Sequence, residues 1–399
     1  MSTILLVVPV HNALFYTKQL LRSIQEHKTR HAIKTIVVDN GSTDGTADFL
    51  WEEWLLGGVE TKDRFVITNQ DNLGYGPAVN QGIRQGLRAF PDSHVLVMNN
   101  DMELNPDCVD ELVKVLDEIP AAGIVGGKLL FPDGLIQHAG AFLNAYGWGQ
   151  HLGGGVPNQL YADVKAPVEL EFVTGALFLI RSELIAQLTG FDERFAPAYF
   201  EEVDYCYEAR KLGFKTFYTP FAMAIHYENQ TGKEIYKGDM DKVNQISRTN
   251  QVKFYLKRED DEYVATSDRQ LLIVSQIYGA WSFTHVMRNL AKGLSRAGVD
   301  VAIAPEEYHQ VMGSDDWEIN QMIRKPHDYW NRTVLRSSEG DHLYLMPPGK
   351  RRIAHTTGES TRISRYWRDQ LNQVDQVLTT SRFFRDVLVS NGVTVPVDV

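Results

Sequence analysis

Two periodicities alternate along the first hundred residues. Ile4–Val10 is an unbroken apolar run, and Leu14, Leu21 and Ile24 then share one helical face. Thr35–Asp39 is the next strand-like run and Thr43–Leu55 the next helical pattern. Arg64–Asn69 and His94–Asn100 read as further strands, with a helix near Pro77–Leu87 between them. Val109, Leu112, Val113 and Leu116 repeat at helical spacing, and Asn105 and Pro106 supply an N-cap and a first-turn proline. Repeated strand–helix–strand units predict a mostly parallel sheet with helices on both faces.

The pattern changes after residue 120. Gly123–Phe131, Gln137–Leu143 and the long apolar Glu171–Arg181 read as strands, and Gly147–Val156 reads as a glycine-rich mobile loop. Glu201–Leu212 is helical up to Gly213, and Lys215–His226 returns as a strand. Lys257–Arg269 is charged and poor in apolar side chains. It reads as a linker (257–269) between a first domain, residues 1–256, and a second, residues 270–399. The second opens with a fresh strand–helix–strand pattern: Leu271–Ile277, Phe283–Ala297 stopping at Gly298, and Val299–Pro305. Later strands are expected at His342–Met346, Arg352–Thr356 and Gln376–Thr380.

Composition narrows the function classes. A length of 399 residues and 43% hydrophobic content allow a sizeable core without staples. A net charge of -11 argues against a nucleic-acid partner. The two cysteines, Cys108 and Cys206, both sit in apolar helical patterns, which fits a reducing cytoplasm rather than a disulfide scaffold. The N-terminus lacks the basic start of a signal peptide, and no run approaches the roughly 20 apolar residues of a membrane span. The expectation is a cytoplasmic protein without a transmembrane segment. Peripheral association with the inner face of the membrane stays open, and the sequons at Asn229 and Asn331 are read as incidental.

Polar residues with chemical potential cluster where strands end. Asp39, followed by Asn40-Gly41-Ser42-Thr43-Asp44-Gly45-Thr46, closes a strand and opens a helix. There a carboxylate can accept from a nucleobase or ribose, or the segment can simply be a capped turn. Asn72-Leu73-Gly74-Tyr75-Gly76 follows another strand. Val79 stands where a dinucleotide fingerprint needs its third glycine, so a nicotinamide site is rejected. Asn99-Asn100-Asp101 ends an apolar strand, which suits a carboxylate held at a sheet rim for Mg²⁺ or Mn²⁺ as well as it suits a turn. Glu201-Glu202-Val203-Asp204 opens a helix. Acids there are favoured by the helix dipole, and one of them can also serve as a general base. His226 ends a strand and is either structural or a partner for Asp101 on a metal.

The ordered set resembles the family-2 glycosyltransferases. It comprises Val8-Pro9-Val10-His11-Asn12, Val38-Asp39-Asn40-Gly41-Ser42, Asn72-Leu73-Gly74 with Asn80, Asn99-Asn100-Asp101, Thr174-Gly175-Ala176, Phe191-Asp192-Glu193, the Phe200–Gly213 segment and His226. The resemblance covers roughly residues 1–255, with rhamnosyltransferase-like bacterial members the most similar in style. It implies an α/β, GT-A nucleotide-sugar-binding fold with a mixed central sheet. It implies Mn²⁺ or Mg²⁺ and an inverting transfer from a TDP-rhamnose or UDP-hexose type donor to a glycan or lipid-linked glycan acceptor, in bacterial surface polysaccharide synthesis. Residue by residue, Pro9, Asp39, Asn72 and Gly74 would line the nucleoside site. Asp101 matches the last acid of the family's D-x-D motif, and Asn99 stands at its first position. Glu202 matches the catalytic-base aspartate of the family's E-D pair, Asp204 is the second candidate for that base, and His226 would reach the metal or diphosphate. The Gly147–Val156 loop is placed to close over the donor.

Leu271–Pro305, His355-Thr356-Thr357-Gly358-Glu359-Ser360 and Asp375–Arg382 resemble the N-terminal, Rossmann-like half of family-4, GT-B glycosyltransferases. The chain ends at Val399, where the second half of such an enzyme would begin. The expectation is therefore part of a longer enzyme, with a complete accessory domain as the alternative. The rival to an active transferase is a sugar-nucleotide-binding scaffold that has lost catalysis. Its basis is glutamate at position 202 and asparagine at 99. A nucleotidyltransferase ranks low, because Val8–Phe15 is not a glycine-rich basic phosphate loop.

Overall fold

Ile4, Leu5, Leu6, Val7 and Val8 are all buried. The strand that carries them, β1 (Thr3–Val10), lies inside a sheet with both faces covered, so it needs apolar side chains at every position rather than at alternate ones. The computed structural model describes residues 1–56, 61–144, 147–160, 164–227, 239–258, 269–278, 282–306, 316–338, 342–343 and 346–399. The chain divides into two units: Met1–Ala141 with His151–Asp261, and Phe142–Gln150 with Glu262–Val399.

The strands of the first unit follow in chain order. After β1 come β2 (Ala32–Asn40), β3 (Arg64–Asn69), β4 (His94–Met98), β5 (Met102–Leu104), β6 (Ala122–Leu130) and β7 (Ile136–His138). The hairpin strands β8 (Ala141–Leu143) and β9 (Gly149–His151) belong mostly to the second unit, and the first continues with β10 (Val168–Leu170), β11 (Leu177–Ile180) and β12 (Lys215–His226). The main sheet runs β10-β12-β6-β11-β4-β1-β2-β3, with β5 on β12 and β7 on β6. β1, β2, β3 and β4 are mutually parallel. β11 is antiparallel to both β4 and β6, while β12 is parallel to β6. The sheet is therefore mixed, as in GT-A proteins, with its parallel half at the N-terminal end of the chain.

Helices α1 (Leu14–Glu26), α2 (Thr46–Asp48, widening into a π-turn over Phe49–Leu55), α3 (Tyr75–Ala89) and α4 (Cys108–Glu118) connect these strands. Ile4, Leu6 and Val8 pack with Leu20, Leu21, Leu112 and Leu116 on one face of the sheet. On the other face α3 sits unusually close. A Cβ at Gly86 would fall 2.3 Å from Leu5 Cδ2, and one at Gly82 would fall 2.5 Å from Val7 Cγ1, so glycines four residues apart let the helix seat on β1. Helices α5 (Ser182–Leu188), α6 (Glu201–Lys211) and α7 (Met240–Arg258) complete the unit. Cys108 and Cys206 are free and buried.

In the second unit β13 (Gln270–Ser275), β14 (Asp300–Pro305), β15 (Thr333–Ser337), β16 (Arg351–Thr356), β17 (Gln376–Thr379) and β18 (Val397–Asp398) form one wholly parallel sheet, in the order β14-β13-β15-β16-β17-β18. It carries α8 (Ser282–Arg296), α9 (Trp317–Arg324), α10 (Arg365–Leu371) and α11 (Arg382–Ser390). Within the same unit, Tyr329 Oη donates to the carbonyls of Leu143 and Asn144 at 2.8 and 2.9 Å.

Several expected elements differ. Glu171–Arg181 is a strand only over Leu177–Ile180, and its earlier apolar residues turn along the sheet instead. Gln137–Leu143 is broken at Ala139-Gly140, where Gly140 has φ +101°. Gly147–Val156 is not wholly loop but contains β9. Lys257 and Arg258, expected in the linker, are the last turn of α7. Residues 259–268 of that linker, the sequon at Asn229 and part of the expected strand His342–Met346 lie outside the described residues.

Candidate active site

The carboxyl ends of β1, β2 and β4 meet where the strand order reverses, the place where open α/β sheets bind ligands. A cleft of about 500 Å³ opens there, lined by Pro9, Val10 and His11 after β1, Asn40 after β2, Asn72, Gly74 and Tyr75, and Asn99–Asp101 after β4. Thr174–Ala176, Pro197–Tyr199, Glu201, Glu202, and Lys242 and Ile246 of α7 line the rest.

One side of the cleft is organised by Asn40. Its Nδ2 donates to Asn72 Oδ1 at 2.9 Å and to the Gly74 carbonyl at 3.1 Å. Its Oδ1 accepts from Leu73 N at 3.0 Å and Asn69 Nδ2 at 3.1 Å. Asn72 Oδ1 also accepts from Gly74 N at 2.9 Å. This network holds the turn before α3 in a fixed shape. Gly74 is required there: its φ is +97°, and a Cβ would lie 2.9 Å from Pro197 Cα. Tyr75 N donates to the Pro197 carbonyl at 2.7 Å, so the turn and the loop before α6 are joined directly. Asp39 is fully buried behind this wall. Its Oδ1 accepts from Ser42 N at 3.1 Å, and its Oδ2 has no hydrogen-bond partner among the described residues. It is not among the residues lining the cleft, and its described contact is the one that caps the turn.

β5 pairs antiparallel with the end of β12, with His226 opposite Met102. That register brings His226 to Asp101, with Nε2 and Oδ1 3.1 Å apart. Asn99 Nδ2 lies 3.4 Å from the same Nε2. His226 and Asp101 are 7% and 3% exposed, so both polar groups meet in a largely dry site. Among the described residues, no group of three or more His, Cys, Asp or Glu side chains is arranged to hold a metal. A pair such as Asp101–His226 is nonetheless a sufficient protein contribution when phosphate oxygens and water fill the remaining positions.

The chain enters α6 through Tyr199 and Phe200, both at positive φ (78° and 76°), and so turns the helix start into the cleft. Glu201 and Glu202 both line it. Glu201 Oε2 has no partner among the described residues. Burial and the neighbouring Glu202 raise the Glu201 carboxyl to about 8, and burial raises that of Glu202 to about 7. Adjacent buried acids cannot both ionise cheaply, so the pair holds a proton near neutral pH.

Asp204, two residues on, is rotated about 200° around the helix. It lies outside the cleft and lines a second cavity with Asp192, Glu208 and Lys257. Its Oδ2 accepts from Lys257 Nζ at 2.7 Å and its Oδ1 from Arg258, which is fully buried. Asp204 thus ties α6 to α7. The structure brings together Pro9, Asn72, Gly74, Asn99, Asp101 and Glu202, with His226 joined through Asp101; it does not bring Asp39 or Asp204 into the cleft. Sequence reading gave no role to Asn40, Tyr75 or Lys242. Asn40 is signalled only by its place beside Asp39 at a strand end. Lys242 lies on α7, a helix whose polar composition hid it.

Residues 5–186 match the family model for glycosyl transferase family 2. The N-acetylglucosaminyl-diphospho-decaprenol L-rhamnosyltransferase of Mycobacterium tuberculosis is 30% identical over 224 residues, 52% of this chain and 70% of that protein. An uncharacterized protein of Sinorhizobium fredii is 29% identical over 259 residues, 63% of this chain; the chain spans only 27% of that relative's length. Among solved structures, the mannosyltransferase PcManGT of Pyrobaculum calidifontis, in complex with GDP-Man and Mn²⁺, has a TM-score of 0.45 at 17% identity, covering 65% of each chain. The chain belongs to glycosyl transferase family 2. The family match ends inside the first unit and does not extend to residues 270–399.

Proposed function

We propose that residues 1–256 form a metal-dependent, inverting glycosyltransferase domain. It would move a sugar from a TDP-rhamnose or UDP-hexose type donor to a hydroxyl of a glycan or lipid-linked glycan, in building a bacterial surface polysaccharide. One observation carries this reading: the Asp101 carboxylate, paired with His226, opens into the same cleft as the raised carboxyl of Glu202. The glycan-building relatives support the substrate class, among them an O-antigen biosynthesis protein of Myxococcus xanthus that is 28% identical over 236 residues.

Asp101 and His226 would hold Mn²⁺ or Mg²⁺, which when bound neutralises charge growing on the departing nucleoside diphosphate. Pro9, Asn72 and Gly74 shape the nucleoside end of the cleft, and Lys242 adds a positive charge facing it. Glu202, once ionised, takes the proton of the acceptor hydroxyl as that oxygen attacks the anomeric carbon from the side opposite the leaving group. The C–O bond to the diphosphate breaks as the new glycosidic bond forms, and a single displacement inverts the configuration. For residues 270–399 we propose the N-terminal half of a GT-B fold, on the strength of their wholly parallel sheet. No helix among the described residues is long and apolar enough to cross a membrane.

The test is release of nucleoside diphosphate and the anomeric configuration of the glycoside product, with Mn²⁺, with Mg²⁺ and with chelator. Retention of configuration, or full turnover in chelator, would contradict the proposal.

A further inference from the structure

His226 Nδ1 lies 2.6 Å from Gln137 Oε1, and Gln137 is 7% exposed. An amide oxygen only accepts, so in this pair the imidazole hydrogen sits on Nδ1. In a neutral imidazole Nε2 then presents a lone pair, which Asn99 Nδ2 approaches at 3.4 Å. The same nitrogen faces Asp101 Oδ1 at 3.1 Å, a contact that is favourable when a proton or a metal cation lies between the two atoms.

The backbone of Gln137 is held in the sheet. It is the central residue of β7, whose neighbour His138 pairs with Leu129 of β6, and its carbonyl lies 3.3 Å from His151 Nδ1. Gln137 Nε2 has no hydrogen-bond partner among the described residues, so nothing but the His226 contact orients the amide.

We propose that Gln137 is a positioning residue: it fixes His226 in the Nδ1–H tautomer and so aims the Nε2 lone pair at the position a divalent cation takes beside Asp101. This rests on the metal-dependent reading above and names the group that prepares its nitrogen ligand. Partners of this kind orient metal-bound histidines generally, and their loss costs about 10–100-fold in metal affinity. The residue lies 89 positions before His226 in the chain and carries no motif of its own.

The experiment has two readouts. The first is ¹⁵N NMR of the full chain carrying imidazole-labelled histidine, without metal, with the His226 signal assigned by its loss in His226→Gln. The expected result is the Nδ1–H tautomer in the wild type and in Gln137→Glu, and a shift away from it in Gln137→Leu. The second is Mn²⁺ affinity by electron paramagnetic resonance with UDP present. It should weaken about 10–100-fold in Gln137→Leu and stay within a few-fold of wild type in Gln137→Glu. An Nε2–H tautomer in the wild type overturns the proposal, as does wild-type Mn²⁺ affinity in a folded Gln137→Leu. If Gln137→Leu does not fold, Gln137→Glu decides at a pH where the new carboxyl is ionised: it can then only accept, so a neutral Nε2–H tautomer overturns the proposal. Mn²⁺ affinity unaffected by Asp101→Ala would instead sink the metal site of the proposed function, while the NMR still reports on Gln137.

Discussion

Arg258, fully buried at the end of α7, donates to both the side chain and the backbone carbonyl of Asp204 on α6. Lys257 Nζ reaches the same carboxylate and also lies 3.0 Å from Asp192 Oδ2. The third acid of the Glu-Glu-Val-Asp segment is thereby committed to holding two helices together, and Glu202 is left to face the cleft.

Asp204→Ala should therefore act on stability. It removes one of the two carboxylates, the other being Glu208, that the buried Arg258 and the half-buried Lys257 share, and breaking a buried pair costs up to about 3–5 kcal/mol. Urea unfolding should show a lowered midpoint, while kcat measured under permissive conditions stays within a few-fold of wild type. A loss of kcat with stability intact would return Asp204 to the list of catalytic groups.

Glu202→Gln should do the reverse. The fold should persist, and kcat should fall by about 10²–10⁴-fold, the usual contribution of a general base. In the wild type, kcat should rise with pH through about 7, because burial raises the carboxyl that must ionise. An acid limb at the ordinary carboxylate pH would contradict the assignment.

The raised pair also predicts how stability varies with pH. Folded Glu201 and Glu202 keep protons that the unfolded chain has released, so stability falls as pH rises from about 4.5 towards about 8. Glu201→Gln should flatten that decline. Thermal unfolding across this pH window reads it directly. A decline identical to wild type in Glu201→Gln would contradict the account.

Gly74→Ala should weaken donor binding. Its φ of +97° and the 2.9 Å approach to Pro197 leave no room for a methyl group. Strain on the order of 1–3 kcal/mol would be relieved by moving the turn that Asn40 and Asn72 build. The donor KM should rise more than tenfold. An unchanged KM would show that this turn does not touch the donor.

The parallel core was legible because continuous apolar runs such as Ile4–Val8 have few alternatives to a strand buried on both faces. Glu171–Arg181 misled for a related reason. Its early residues are apolar because they are buried, yet Thr174–Ala176 form a wall of the cleft rather than a ladder. Lys257-Arg258 resembled a linker because charge usually signals solvent, whereas here the charges are paired inside against Asp204 and Glu208. Ordered motifs marked Asp101, His226 and Glu202 because strand ends and helix starts are local features. The split between Glu202 and Asp204 was latent in helix geometry, since residues two apart face different ways. The contact between His226 and Gln137 depends on packing between distant segments, which no local pattern encodes.

The most direct test of the central claim is turnover of a nucleotide-sugar panel by the wild type beside Asp101→Ala and Glu202→Gln, each confirmed folded. The account predicts metal-dependent turnover of at least one donor by the wild type and a loss of at least 10²-fold in both variants. Full metal-dependent activity in either variant would contradict it.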